Sequence, residues 1–292
     1  VFKKFKEFSE LVAFEHTIFS GAFILIAMIV ASVEINNSIW FGFRILFLCI
    51  LALVSARNFA MGFNRYCDRD IDIKNSRTDK RPSVDGRISP FSVLLFCIFN
   101  AMIFIGVSYY INELAFYLSI PFLIILGGYS YTKRFSYLAH LVLGISLGLA
   151  PIAGVIAVTG EITLWSVFLA MGVVFWVGGF DLLYSIQDIE FDKKEGLYSI
   201  PAIFGERKTL IISRVFHVLA VIFWALFIGF SQGWIFAYIG LLASIIMLVY
   251  EQYLVSLDFK NIPKAFFVTN GYLGFVFFIF ILIDGIGKTH GM

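Results

Sequence analysis

Two short acidic runs carry the chemistry open to this sequence. The first reads Asn64-Arg65-Tyr66-Cys67-Asp68-Arg69-Asp70-Ile71-Asp72, with Asn64, Asp68 and Asp72 at i, i+4 and i+8. On a helix each step of four drifts by only about 40°, so the three share one face. Carboxylates one turn apart repel each other, and a cation between them removes the conflict. The second run extends from Asp181 to Asp192. Asp188 and Asp192 repeat the i, i+4 spacing, and Asp181 returns to nearly the same face.

Amide and carboxylate oxygens are the donors that hard cations prefer. Mg²⁺ takes few protein carboxylates and completes its shell with water and substrate phosphate. Two such runs facing each other read as a cradle for a diphosphate held through Mg²⁺, with Asn64, Asp68, Asp72, Asp188 and Asp192 as the oxygen donors. Arg65, Arg69, Lys133, Arg134, Lys193 and Lys194 add charge that can take phosphate oxygens directly. A lone D-x-x-x-D is more often a pair of solvated loop charges. Its repetition, and the placement of Asp181 inside an apolar stretch, favour function: an Asp at mid-membrane depth costs about 2.5–3.5 kcal/mol on insertion scales.

The elements that must position these residues are membrane spans. The 292 residues are 60% hydrophobic and only 14% charged, where a soluble domain carries about 25% charge. Lipid must cover what polar residues cannot. A net charge of +2 gives no argument for a nucleic-acid partner. Cys49, Cys67 and Cys97 lack C-x-x-C spacing and read as free thiols. The opening run VFKKFKEFSE has no cleavage site after a short apolar stretch and is not a signal peptide; an initiator Met is expected before Val1.

A span needs roughly 20 apolar residues. Nine are expected, near 17–33, 40–63, 90–110, 114–131, 138–158, 163–187, 210–230, 234–250 and 266–283, with a tight hairpin at Ile111–Glu113. Lys and Arg gather in the N-terminal segment and in the loops after the second, fourth, sixth and eighth spans, and only Lys288 lies clearly on the other side. By the positive-inside rule the N-terminus is cytoplasmic and the C-terminus outside. The long connections, 64–89 and 188–209, then fall on the cytoplasmic face, where the chemistry is expected. The fold expected is an all-α polytopic membrane protein, one domain over 1–292, with nine transmembrane helices around a central cavity.

The run Arg57-x₆-Asn64-x₃-Asp68-Arg69-x₂-Asp72 resembles the first acidic motif of the UbiA superfamily of intramembrane prenyltransferases. Asp181-x₆-Asp188-x₃-Asp192 resembles the second, and Tyr129-x₃-Lys133 a Y-x-x-x-K element after the fourth helix. Phe14-Glu15-His16-Thr17, Ala60–Arg65, Gly179-Phe180-Asp181 and Glu195–Ala202 are similar to the 4-hydroxybenzoate polyprenyltransferase-like branch, which includes menaquinone-pathway members. The sequence departs from the family's pattern in having Arg65 where other branches have a second Asp, and His16-Thr17 where many 4-hydroxybenzoate enzymes have Arg-Pro.

The resemblance implies transfer of a polyprenyl group from polyprenyl diphosphate to a ring carbon of a small aromatic acid of 4-hydroxybenzoate type, in respiratory quinone biosynthesis at a bacterial inner membrane. A dihydroxynaphthoate-type acceptor is the alternative. It implies Asn64, Asp68, Asp188 and Asp192 on Mg²⁺ and diphosphate, Asp72 in support, Tyr129 and Lys133 at the diphosphate or developing cation, and Arg57 beneath. Tyr66, Tyr129, Tyr131 and Tyr184 are candidates to face an allyl cation, Asp181 to take the ring proton, and His16 to touch the acceptor.

Other features read as structure. Gly144-x₃-Gly148, Pro151 and Gly154 suit close helix packing. His140, His217 and His290 show no metal spacing. Trp40, Trp165 and Trp234 read as interface anchors, and Asp70, Asp79, Asp85 and Glu190 as solvated loop charges. A secondary transporter, the non-enzyme rival, would place its ionisable groups near the midplane, whereas these acids gather at one face. A nucleotide-dependent membrane phosphotransferase would carry D-G-x-x-A-R, which is absent.

Overall fold

The computed structural model describes residues 2–12, 17–265 and 269–291, which are helical apart from connecting turns. The helices are α1 (Phe2–Leu11), α2 (Thr17–Asn36), α3 (Phe43–Cys67), α4 (Arg69–Asp72), α5 (Pro90–Ile111), α6 (Glu113–Thr132), α7 (Ala139–Thr159), α8 (Leu164–Ser185), α9 (Ile189–Glu195), α10 (Ile200–Phe230), α11 (Ile235–Leu257), α12 (Ile262–Lys264) and α13 (Asn270–His290). Eight are long and apolar enough to cross a membrane, and α2 contributes a shorter apolar stretch, Gly21–Asn36. Eight of the expected spans overlap these long helices, 266–283 in its described part, and 17–33 overlaps α2. His16 lies outside the described residues.

Local chemistry sets the helix ends. Ser89 Oγ accepts from Ser92 N and Pro90 occupies the first turn of α5, where its missing N–H costs nothing. The expected hairpin narrows to a single extended residue, Asn112. Its side chain accepts from Ala115 N and donates to the Ile156 carbonyl at 2.6 Å, tying the turn to the end of α7. The connection expected at 188–209 is largely helical. Ser199 caps α10 ten residues ahead of the apolar run, and the left-handed Gly205 (φ 77°) kinks it before the span proper.

Small residues let α7 approach its neighbours, as their spacing suggests. A Cβ on Gly148 would lie 2.6 Å from Val174 Cγ2 and 3.0 Å from the Ala170 carbonyl oxygen of α8; one on Gly154 would lie 2.9 Å from the Ile24 oxygen of α2. Between lipid-covered helices such van der Waals contact supplies much of the association. Phe23, Trp176, Trp224 and Phe277 join α2, α8, α10 and α13 in an aromatic core. Trp165 belongs to that core and is no interface anchor. It is 4% exposed, and its Nε1 donates to Glu34 Oε2 at 2.9 Å, so its polar edge is satisfied inside the protein rather than at the lipid boundary. Trp40 and Trp234 are 45% and 39% exposed.

The polar contacts sort the bundle into two ends. At one, the segment after α3 meets the ends of α6 and α8 and the start of α10 through Lys133–Asp68, Arg77–Asp188, Lys74–Glu195 and the Tyr198 N–H on the Lys133 carbonyl. At the other, Arg44 reaches the Tyr110 carbonyl, and Asp284 on α13 accepts from the Trp234 and Ala237 N–H groups at the start of α11. Both acidic runs belong to the first end.

Candidate active site

The first acidic run is not one continuous helix. α3 stops at Cys67, and Asp68 (φ −89°, ψ 4°) breaks it before α4. The intended face survives the break. Asn64 Nδ2 donates to Asp68 Oδ2 at 2.9 Å, Lys133 Nζ sits 2.7 Å from the same oxygen, and Arg65 Nη1 donates to Asn64 Oδ1 at 3.1 Å. Asp68 is 3% exposed. Burial pushes its carboxyl above the usual carboxylate range, and the Lys133 ammonium pulls it partly back. Both oxygens of buried Asp72 accept from Arg81 Nη1, at 2.7 and 2.6 Å.

The second run is also broken. α8 ends at Ser185, a 3₁₀ turn covers Ile186–Asp188, and α9 follows. Asp188 is held by Arg77, whose Nη2 lies 2.6 Å from Oδ2 and whose Nε lies 3.2 Å from Oδ1; Arg77 Nη1 also donates to the Tyr184 hydroxyl. Asp192 Oδ2 accepts from Ser199 Oγ at 2.7 Å. Asp181 Oδ2 lies 2.7 Å from His140 Nδ1.

The two runs close over one basin of about 250 Å³, with Asn64, Asp68 and Asp72 from the first and Asp181, Asp188 and Asp192 from the second. Tyr129, Lys133 and Tyr184 line it too. Tyr129 and Leu143 also line an adjoining apolar cavity among α3, α5, α6 and α7, where Arg57 is found. The polar basin and the apolar cavity thus lie side by side and share Tyr129 and Leu143 as wall residues.

Other expected site residues fall elsewhere. Arg69 is exposed and its Nε donates to the Ser83 carbonyl; five positions on from Asn64, it lies about 140° round a helix from that face. Arg134 is spent on Asp70, at 2.7 Å, and on the Cys67 carbonyl. Lys193 is exposed on α9 and does not line the basin. Tyr66 and Tyr131, at 37% and 45% exposure, pack on Phe63 outside the basin. Asp70 is an Arg134 partner more than a free loop charge.

Sequence reasoning missed Arg77, Arg81, His140 and Ser199. Arg77 and Arg81 lie in a turn-rich stretch without periodicity. Their i, i+4 spacing, the same as that within each acidic run, was the available signal, and each meets one run: Arg77 holds Asp188 and Arg81 holds Asp72.

The donors suit a hard cation. They are amide and carboxylate oxygens, and buried Asp68 Oδ1 has no hydrogen-bond partner among the described residues; Arg134 Nη2 is 3.9 Å away. An orphaned carboxylate oxygen at 3% exposure is expensive without a positive partner. No three acidic, histidine or cysteine side chains among the described residues converge into a protein-only metal site.

Among the described residues, the helical bundle has eight helices long and apolar enough to cross a membrane, with a polar, acidic basin at one end, an architecture that suits an integral membrane enzyme. A family model described as the UbiA prenyltransferase family matches residues 21–282. The chain belongs to that family and is a prenyltransferase. It is 30% identical over 246 residues to the 4-hydroxybenzoate octaprenyltransferase of Vesicomyosocius okutanii subsp. Calyptogena okutanii, covering 82% of this chain and 88% of that one. The apo structure of a UbiA homolog from Aeropyrum pernix K1 superposes with TM-score 0.83 at 29% identity, over 92% of this chain and 98% of that one. The structure of a UbiA homolog from Archaeoglobus fulgidus bound to DMAPP and Mg²⁺ shares the fold, with TM-score 0.74 at 20% identity, over 98% of this chain and 100% of that one.

Proposed function

We propose that this enzyme moves a polyprenyl group from polyprenyl diphosphate to a ring carbon of an aromatic acid of 4-hydroxybenzoate type, in respiratory quinone biosynthesis. The observation that carries this reading is the shared wall at Tyr129. A substrate with a diphosphate head and a long apolar tail needs a charged basin continuous with an apolar cavity, and these two meet at that side chain. The names of the relatives supply the acceptor class.

Asn64, Asp68, Asp188 and Asp192 would hold Mg²⁺, with Asp72 supporting the first arm through Arg81. Bound there, Mg²⁺ would neutralise charge on the leaving diphosphate and weaken the allylic C–O bond. Lys133 and Arg65 offer N–H donors to phosphate oxygens. Arg77, poised between Asp188 and Tyr184, can swing to the same oxygens. Tyr129 and Tyr184 line the basin and would meet positive charge growing on the allylic carbon, a stabilisation of about 0.5–2 kcal/mol each; Arg77 lies over the Tyr184 ring at 5.4 Å in this structure. The apolar cavity takes the tail and keeps water, a competing nucleophile, from that carbon. Arg57, which lines the tail cavity, would face an anionic group.

The positive-inside pattern supports nine spans in one domain over 1–292, the N-terminus and basin facing the cytoplasm of a bacterial inner membrane. The test is to supply membranes containing the enzyme with Mg²⁺, a series of prenyl diphosphates and radiolabelled acceptors. Prenylated 4-hydroxybenzoate is expected. Consumption of a dihydroxynaphthoate with 4-hydroxybenzoate inert would reassign the acceptor, and flux without turnover would point to transport.

A further inference from the structure

The pairing of His140 with Asp181 has no part in gripping a diphosphate. The cradle carboxylates face cations or a hydroxyl: Asp68 meets Lys133, Asp72 meets Arg81, Asp188 meets Arg77 and Asp192 meets Ser199. Asp181 meets an imidazole, at 2.7 Å. His140 opens α7 directly opposite it. α7 and α8 are close there: a Cβ on Gly178 would lie 3.4 Å from the His140 carbonyl oxygen and 3.0 Å from the Phe216 ring.

His140 is 5% exposed, and its Nε2 is buried without a hydrogen-bond partner among the described residues. A buried N–H without an acceptor is rarer than an unfilled acceptor lone pair. The ring therefore carries its proton on Nδ1 and donates it to Asp181 Oδ2. That bond decides which carboxylate oxygen is spent. Asp181 keeps 23% of its side chain exposed and lines the basin, which leaves Oδ1 for whatever lies there.

We propose that His140 is a positioning residue for Asp181, holding Oδ1 as the acceptor of the ring proton that closes the transfer. The inference rests on the aromatic-acceptor reading above. Once the new C–C bond has formed, the substituted ring carbon carries both the prenyl group and a hydrogen. The C–H bond breaks, its electron pair returns to the ring, and the proton passes to Asp181 Oδ1. The diphosphate has by then left with the electron pair of the C–O bond. The His140 proton stays on Nδ1 throughout and fixes the carboxylate.

The test compares His140→Asn, His140→Gln and Asp181→Asn in full-length enzyme with Mg²⁺, using 4-hydroxybenzoate with hydrogen or deuterium at the ring positions beside the hydroxyl. An Asn amide can stand where Nδ1 stands, and a Gln amide cannot. We expect H140Q and D181N to lose about 10²-fold in kcat, the lower range for a positioned base, with KM for both substrates little changed. Both are expected to gain a primary deuterium effect that the wild type and H140N lack, because ring deprotonation has become slow. The double variant H140Q/D181N should be no slower than D181N.

Equal activity of H140Q and H140N, a D181N enzyme without the deuterium effect, or additive losses in the double variant would each overturn the proposal. So would a loss that appears in prenyl diphosphate binding instead of kcat. If H140Q fails to fold, H140N and D181N decide together: a deuterium effect in H140N, or none in D181N, overturns the proposal. A wild-type enzyme that prenylates no aromatic acceptor removes the reading beneath and is seen before any variant is made.

Discussion

Arg77 forks onto Asp188: its Nη2 and Nε reach the two carboxylate oxygens at 2.6 and 3.2 Å, joining the turn-rich segment after α4 to the end of α8. A guanidinium on a carboxylate competes with any cation for the same oxygens. Arg77→Met is therefore expected to tighten Mg²⁺ binding by up to about tenfold, or 1.4 kcal/mol, while weakening prenyl diphosphate binding. Titration with Mn²⁺ as a spectroscopic stand-in, with and without the diphosphate, reads both. Exposed Lys193 serves as the contrast, and Lys193→Ala should leave both affinities within twofold.

Asp68→Ala and Asp188→Ala remove one donor from each arm. If each arm contributes about 4 kcal/mol to stabilising the departing diphosphate, turnover falls about 10³-fold. Turnover in membranes, normalised to the amount of enzyme present, measures it. Activity surviving either change would sink the two-arm cradle.

The Glu10–Arg87 pair, at 2.7 Å, fastens α1 to the segment preceding α5. The hydrogen-bonded Arg87 guanidinium holds the Glu10 carboxyl below its usual range. A depressed carboxylate value means that the stabilisation is complete above the ordinary Glu value, about 4.3, and is lost as pH falls through the depressed one. Both partners are about one-third to one-half exposed, so solvent screening limits it to about 0.2–1 kcal/mol. Protection factors of the α1 amides, corrected for the intrinsic pH dependence of exchange, should fall on acidification in the wild type. Arg87→Gln should be less protected at neutral pH and less sensitive to acid.

Gly144 faces the Val174 backbone of α8 with no room for a methyl group. Gly144→Ala is expected to cost about 1–3 kcal/mol by overpacking, read as a lower Tm in detergent. Gly128→Ala, with no contact around its added Cβ, should leave Tm unchanged or raise it.

The spans were legible because length and hydrophobicity decide them, and the tight α5–α6 hairpin because so few residues separate two apolar runs. The pairing of the acids was legible from helical periodicity, and it survived breaks at Asp68 and Ile186 that periodicity does not reveal. Partners separated widely in sequence were not legible. His140 meets Asp181 across 41 positions, and a single histidine in an apolar helix carries no local spacing to announce that. Arg77 and Arg81 were hidden by turns, where side-chain direction depends on tertiary contacts. Trp165 misled because a tryptophan near a helix end has the same local signature at a lipid boundary and in a core. Arg69 and Arg134 misled because charge near a site does not say which carboxylate or carbonyl claims it first.

Ser199 donates its hydroxyl proton to Asp192 Oδ2 at 2.7 Å and, through the same oxygen, accepts from the Ala202 N–H at 3.3 Å to begin α10. Natural variation at this position is therefore judged on two counts by one atom. Threonine can satisfy both. Alanine or glycine forfeits the cap and the carboxylate contact in a single mutational step, and a compensating change at position 192 could relieve only the second loss.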